Sequence, residues 1–126
     1  MKKLISIVAV ILIIFGCSAK EPDQVRPVRH MIMWTLNDSL EGSQKEDIIK
    51  MACDDFNRLN GMITGLVSAS FIYEGRLPSS NCDFMFDMIF ESEEALKSFS
   101  EHPEHLKNAE RLKPHIKSRA CLDVLL

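Results

Sequence analysis

Four stretches of the chain alternate apolar and polar residues with the two-residue period of a strand, and the segments between them repeat at helical spacing. Val28 to Leu36 sets Val28, His30, Ile32, Trp34 and Leu36 on one face and Arg29, Met31, Met33 and Thr35 on the other. After the polar turn Asn37 to Gly42, Ser43 followed by Glu46 predicts a capping box, opening a helix that shares Ile48, Ala52, Phe56 and Leu59 on one face. Gly61 and Gly65 close that helix. A second strand follows over Leu66 to Glu74, with Val67, Ala69, Phe71 and Tyr73 on one side, and stops at Gly75 and Pro78. The strongest alternation runs from Cys82 to Phe90, where Cys82, Phe84, Phe86, Met88 and Phe90 oppose Asp83, Met85, Asp87 and Ile89. Its short link to the second strand predicts a hairpin. Ser92 caps a short helix over Glu93 to Glu101, and Pro103 opens another with Leu106, Ala109, Leu112 and Ile116 as its buried stripe. Arg119 to Leu126 is the closing strand, with Ala120, Leu122, Val124 and Leu126 on one face.

The order strand, helix, strand, strand, helix pair, strand defines an α+β chain of ferredoxin-like βαββαβ topology. It is a four-stranded antiparallel sheet with helices on one face and with the second and last strands outermost. The helices cover the face of Ile32, Trp34, Phe84, Phe86 and Phe90. The other face still offers Met31, Met33, Met85 and Ile89 among Arg29, Asp83 and Asp87, too apolar for water and too polar for a dry core. A second copy of the sheet would cover it, which predicts a homodimer packed face to face.

The amino-terminal segment does not share this patterning. Lys2 and Lys3 precede an apolar run from Leu4 to Phe15 that is too short for a membrane span and reads as an export signal over residues 1–16. Ile14-Phe15-Gly16-Cys17 resembles the bacterial lipobox, which would make Cys17 a diacylated residue and 17–27 a lipidated tether ahead of a domain at 28–126. The expected location is the cell envelope, anchored by lipid on the extracytoplasmic side of a bacterial membrane. Removing the two lysines of the signal changes the charge picture, because 13 basic residues then face 18 acidic ones. An acidic body without a Lys/Arg stripe is not expected to bind nucleic acid.

Candidate chemistry reduces to the histidines. His30 shares a face with Ile32 and Trp34, so its imidazole is expected between sheet and helices, either as a core histidine satisfied by a backbone carbonyl or as a pocket group. His105 lies at a helix start in His102-Pro103-Glu104-His105, where the helix dipole favours the neutral ring; it is either a base or a surface residue beside a capping His102. His102 and His105 lack a third ligand at recognisable spacing, so no metal is expected. Cys53, Cys82 and Cys121 read as small buried hydrophobes, and the strands of Cys82 and Cys121 are separated by the first strand, so they should not bridge. No G-x-S-x-G, G-x-G-x-x-G or Walker pattern occurs, and no cofactor is expected.

Val28-Arg29-His30, Phe90-Glu91-Ser92-Glu93-Glu94-Ala95-Leu96, His102-Pro103-Glu104-His105, Lys113-Pro114 and Asp123 together resemble the stress-responsive A/B barrel (Dabb) family from Val28 to the carboxyl terminus. The resemblance implies a dimeric α/β barrel. In a cofactor-independent plant polyketide cyclase of that family, pocket histidines match His30 and His105, the second being the base, whereas a pocket tyrosine and a further histidine are replaced here by Phe99 and Phe84. The leading expectation is a lipid-anchored homodimer that binds a small apolar organic molecule between sheet and helices, in the setting of envelope stress. Trp34, Phe84, Phe86 and Phe99 would form the apolar wall, with His30 and His105 as polar anchors. One alternative is an acid/base enzyme, polyketide-cyclase-like, an isomerase or a decarboxylase, using His105 as base and His30 to hold an oxyanion. The other is a structural stress protein without a pocket.

Overall fold

The computed structural model describes Gly16 and residues 24–126. Cys17, the signal segment apart from Gly16, and the first part of the tether lie outside the described residues. Among those described, no helix is long and apolar enough to cross a membrane. The elements are β1 (Val28–Leu36), α1 (Ser43–Leu59), β2 (Leu66–Ile72), β3 (Phe84–Phe90), α2 (Glu93–Glu101), α3 (Pro103–Leu112), a 3₁₀ turn (Lys113–His115) and β4 (Ile116–Leu125). The strands pair antiparallel in the order β2-β3-β1-β4, as the alternation predicts.

Pairing of Ile32 with Phe86 and of Trp34 with Phe84 places the apolar positions of both central strands on one face, where α1 and α2 bury them. Phe84 stacks on Trp34 with ring centroids 4.8 Å apart, and Phe71 meets Phe86 edge to face at 4.3 Å. Such pairs contribute about 0.5–1.5 kcal/mol each beyond the area they bury. β3 begins at Phe84 rather than Cys82 because Asp83 turns its carboxylate onto β1. Its Oδ2 accepts from the Leu36 N–H at 2.7 Å while its own N–H donates to the Trp34 carbonyl at 2.8 Å.

Several local expectations change in the folded chain. Ser43 is the first residue of α1 and not its cap: Gly42 takes that position at φ 52°, and Glu46 pairs with Arg76 at 2.8 Å instead of reaching back. The buried stripe of α1 runs through Ile49, Ala52, Cys53, Phe56 and Leu59, with Ile48 at its edge. A bulge between Leu66 and Ser68 turns Val67 outward while Leu66, Ala69 and Phe71 keep the helix-covered side. Gly65 precedes that bulge at φ +82°, and a Cβ there would sit 2.6 Å from the Cβ of Ala95, so only glycine allows α2 to start this close to β2. The cysteines do not share one environment: all three are free, Cys53 buried, Cys82 half-buried and Cys121 exposed on the edge strand β4.

α3 departs furthest from expectation. Leu112 is buried, but Leu106 is 52% exposed, Ala109 is exposed, and Ile116 belongs to β4. α3 packs on α1 and α2 and stands off the sheet. Asp55 holds it there. This carboxylate is 2% exposed on α1 and accepts from Arg58 and, at 2.5 Å, from Arg111 of α3, while Asn108 donates to the Asp55 carbonyl at 3.1 Å.

The opposite face of the sheet is open. Register places Met31, Met33, Met85, Ile89, Leu122 and Val124 together on it, with Met33 41% and Leu122 59% exposed. Its charged residues neutralise each other, since Arg29 holds Asp87 through two hydrogen bonds at 2.7 and 2.9 Å.

Candidate functional site

The gap left under α3 is a cavity of about 540 Å³ between the sheet and the helices. Ile32 and Trp34 of β1, Phe86 and Met88 of β3, and Phe56 of α1 form its apolar floor and wall. Phe99 of α2 and Leu106 and Ala109 of α3 complete it. Both singled-out histidines line it as well. Of the expected wall residues, Trp34, Phe86 and Phe99 face the cavity. Phe84 does not, because its ring is fully buried behind Trp34. A shallower hollow of about 470 Å³ lies near Asp123 between α2 and β4, lined by Val28, Leu96 and Leu125, and reaches neither imidazole.

His30 is 7% exposed, and its partner is a carboxylate rather than a backbone carbonyl. Register sets it directly opposite Asp123 of β4, and His30 Nδ1 hydrogen-bonds Asp123 Oδ1. In a neutral ring this hydrogen bond makes Nδ1–H the donor and leaves Nε2 as an acceptor. The ring also meets the edge of Phe90 at 6.3 Å.

His105 is placed by its own helix start. Pro103 occupies the first turn, and the His102 side chain caps α3 by accepting the Glu104 N–H at 3.2 Å. The third position of the turn then carries His105 over the Phe99 ring, with centroids 4.2 Å apart. Burial lowers the His105 pKa below the ordinary histidine value, and the positive charge of His30, His102 and Arg119 lowers it further. Desolvation thus leads where the sequence pointed to the helix dipole, and the outcome is the same, a neutral imidazole at pH 7. Two rings in one cavity therefore have different roles available: one tied to a carboxylate, the other free to accept a proton.

Sequence reasoning missed two contributors, Asp55 and Arg119, and gave a third, Asp123, no role. Asp55 sits between Ala52 and Phe56 on the buried stripe of α1, and that interruption of an apolar face was the available signal. Arg119 lines the cavity from β4, opposite Trp34, and Asp123 acquires its role only through cross-strand register. His30, Cys121 and Asp123 also bring three possible metal-ligand atoms within 4.8 Å of one another. The His30–Asp123 hydrogen bond already uses two of them, and Arg119 lies beside the Cys121 thiol, so a cation there is opposed.

With this geometry in place, comparison with known proteins gives the class. Residues 28–126 match the Stress responsive A/B Barrel Domain (Dabb) family, and the chain belongs to it. A dimeric protein of unknown function and ferredoxin-like fold from Bacteroides fragilis superposes with a TM-score of 0.73 at 20% identity, over 79% of this chain and 96% of that one. A Dabb family protein from Mesorhizobium loti gives 0.64 at 22% identity, over 80% and 97%. A hydroxynitrile lyase from Passiflora edulis gives 0.66 at 14% identity, over 80% and 94%. No curated protein matches the chain.

The electrostatics of His105 generate a direct prediction. Its folded pKa lies below the unfolded value of about 6.5, so the unfolded chain binds the proton first and this residue's contribution to stability is lost as pH falls below about 6.5. In an NMR titration the His105 ring should titrate at lower pH than an exposed histidine. Denaturant melts should show His105→Gln losing less stability than wild type between pH 7 and 5. A His105 titration at or above the ordinary value would contradict the assignment.

Proposed function

We propose that this Dabb protein is a homodimer that binds a small, largely apolar organic molecule in the cavity beneath α3, with His30 and His105 as polar anchors and Trp34, Phe86 and Phe99 as wall. The observation that carries this reading is the cavity itself. It is largely apolar, large enough for a molecule of one or two rings, and holds two imidazoles in unlike surroundings, His30 on the Asp123 carboxylate and His105 over the Phe99 ring. A stress protein with a solid core would not leave this space.

Trp34 is the only tryptophan and lines the cavity, so its fluorescence reports occupancy. Titration with 2-naphthol should quench it saturably, and Ala109→Phe, which fills the cavity from α3, should weaken binding about tenfold or more, a loss comparable to displacing one buried aromatic contact. Absence of saturable quenching would count against the pocket.

A second, catalytic reading has an observation of its own, the neutral His105 beside the carboxylate-held His30. His105 would abstract a proton next to a carbonyl, and His30, held by Asp123 through Nδ1 and carrying a second proton on Nε2, would donate that Nε2–H to the developing oxyanion. That the similar Passiflora structure is a hydroxynitrile lyase supports a fold able to host an enzyme. His105→Ala separates the two readings. Loss of a base lowers kcat by about 10²–10⁴-fold with KM little changed, whereas in a receptor the substitution alters only binding.

The open sheet face supports the dimer, as do the dimeric neighbours. A stable interface hides about 800 Å² on each copy, and Met31, Met33 and Leu122 are the apolar residues of the face that would supply it. Sedimentation should give a dimer for the wild type and a monomer for Met33→Lys. A monomeric wild type would refute the arrangement.

The lipobox-like Ile14-Phe15-Gly16-Cys17 supports anchoring at a bacterial membrane through a diacylated Cys17, and the stress-responsive family supports envelope stress as the setting. Cells expressing the chain should incorporate labelled palmitate into it, and Cys17→Ser should abolish the label. Equal labelling of both would exclude this anchor.

A further inference from the structure

We propose that the cavity selects ligands bearing a carboxylate and that Arg119 at its mouth binds that group; the inference rests on the cavity being a ligand site. Charge pairing around the cavity leads to it. Each other formally charged side chain lining the space has an opposite partner. Asp55 is held by Arg58 and Arg111, and Glu110 lies 3.8 Å from Lys113. Of the imidazoles, His30 is paired with Asp123 and His105 is kept neutral by its surroundings. Among the described residues, no carboxylate lies within 4.0 Å of the Arg119 guanidinium, although acidic side chains outnumber basic ones in the body of the chain.

The placement of Arg119 turns this absence into a site. It stands directly opposite Trp34 across β1 and β4, so its side chain leaves the strand on the cavity side. Its neighbour on that side is the Cys121 thiol, which burial and Asp123 keep protonated and which therefore supplies no counter-charge. The positive charge reaches inward as well, since it is one of the groups opposing protonation of His105. A guanidinium on an apolar cavity, with a neutral imidazole nearby, matches the planar two-oxygen acceptor of a carboxylate. A phosphate is a poorer match. Its second charge would need a further cation, and Lys113, the other cationic side chain on the lining, lies 3.8 Å from Glu110.

Calorimetric titration at pH 8 with 2-naphthoate and its uncharged analogue 2-naphthamide tests this on the intact protein. Wild type should bind the naphthoate about tenfold or more tightly than the amide, the range of one charge-assisted hydrogen-bonded contact. Arg119→Met should bring the two within about twofold by weakening the naphthoate alone, and Arg119→Lys should keep part of the preference. Equal binding of both probes by wild type would overturn the carboxylate assignment while leaving the ligand site standing. So would an undiminished preference in Arg119→Met, or tighter binding of 2-naphthyl phosphate than of the naphthoate. Failure of both naphthyl probes to bind would overturn the ligand site, and this inference with it.

Discussion

The arrangement depends on where α3 is held. An amphipathic helix beside a sheet ordinarily settles its apolar stripe onto it, and Leu106 and Ala109 could have done so. The Asp55 carboxylate prevents it. Buried on α1, it must find positive partners, because an uncompensated buried charge costs about 3–5 kcal/mol. Arg58 supplies one from its own helix, but Arg111 comes from α3, and Asn108 adds a second link between the same helices. These contacts tie α3 to α1 at a height above β1 that leaves the cavity between them. Ile32, Trp34 and Phe86 then become a lining instead of the bottom layer of a closed core.

That space gives two chemically identical side chains different characters. His30 comes from a strand in the middle of the sheet, where an isolated polar ring would be left unsatisfied, and its neighbour on the edge strand provides Asp123. His105 comes from the first turn of a helix and, among the described residues, pairs with no acid. Burial and nearby positive groups keep it neutral. Their separation into a carboxylate-held ring and a free one is what makes the cavity chemically asymmetric, with Arg119 as its unmatched charge.

The strands, their order and their burial were legible in the sequence because a sheet with one covered face imposes a two-residue period that survives in Val28 to Leu36 and Cys82 to Phe90. His30 could be placed between sheet and helices by the same rule. Capping of α3 by His102 was legible too, since proline after a polar cap is a local signal. Misreadings occurred where a local pattern had two physical uses. Ser43 and Glu46 have the spacing of a capping box, yet Glu46 is claimed by Arg76 from a distant loop. Leu106 and Ala109 have the spacing of a buried stripe, which is equally the spacing of a cavity wall. Phe84 looked like wall because alternation reports the face of a strand and not the depth within it.

By itself, then, the sequence determined the sheet, its two unequal faces, the side of the sheet that carries His30 and the helix start that carries His105, because each follows from periodicity or from a cap within a few residues. Tertiary structure alone decided that His30 meets Asp123, 93 positions away in the chain, that Asp55 joins α1 to α3, and that Arg119 has no carboxylate within 4.0 Å among the described residues. Those outcomes depend on strand register and helix height, which are set by packing over the whole domain and leave no local periodic trace.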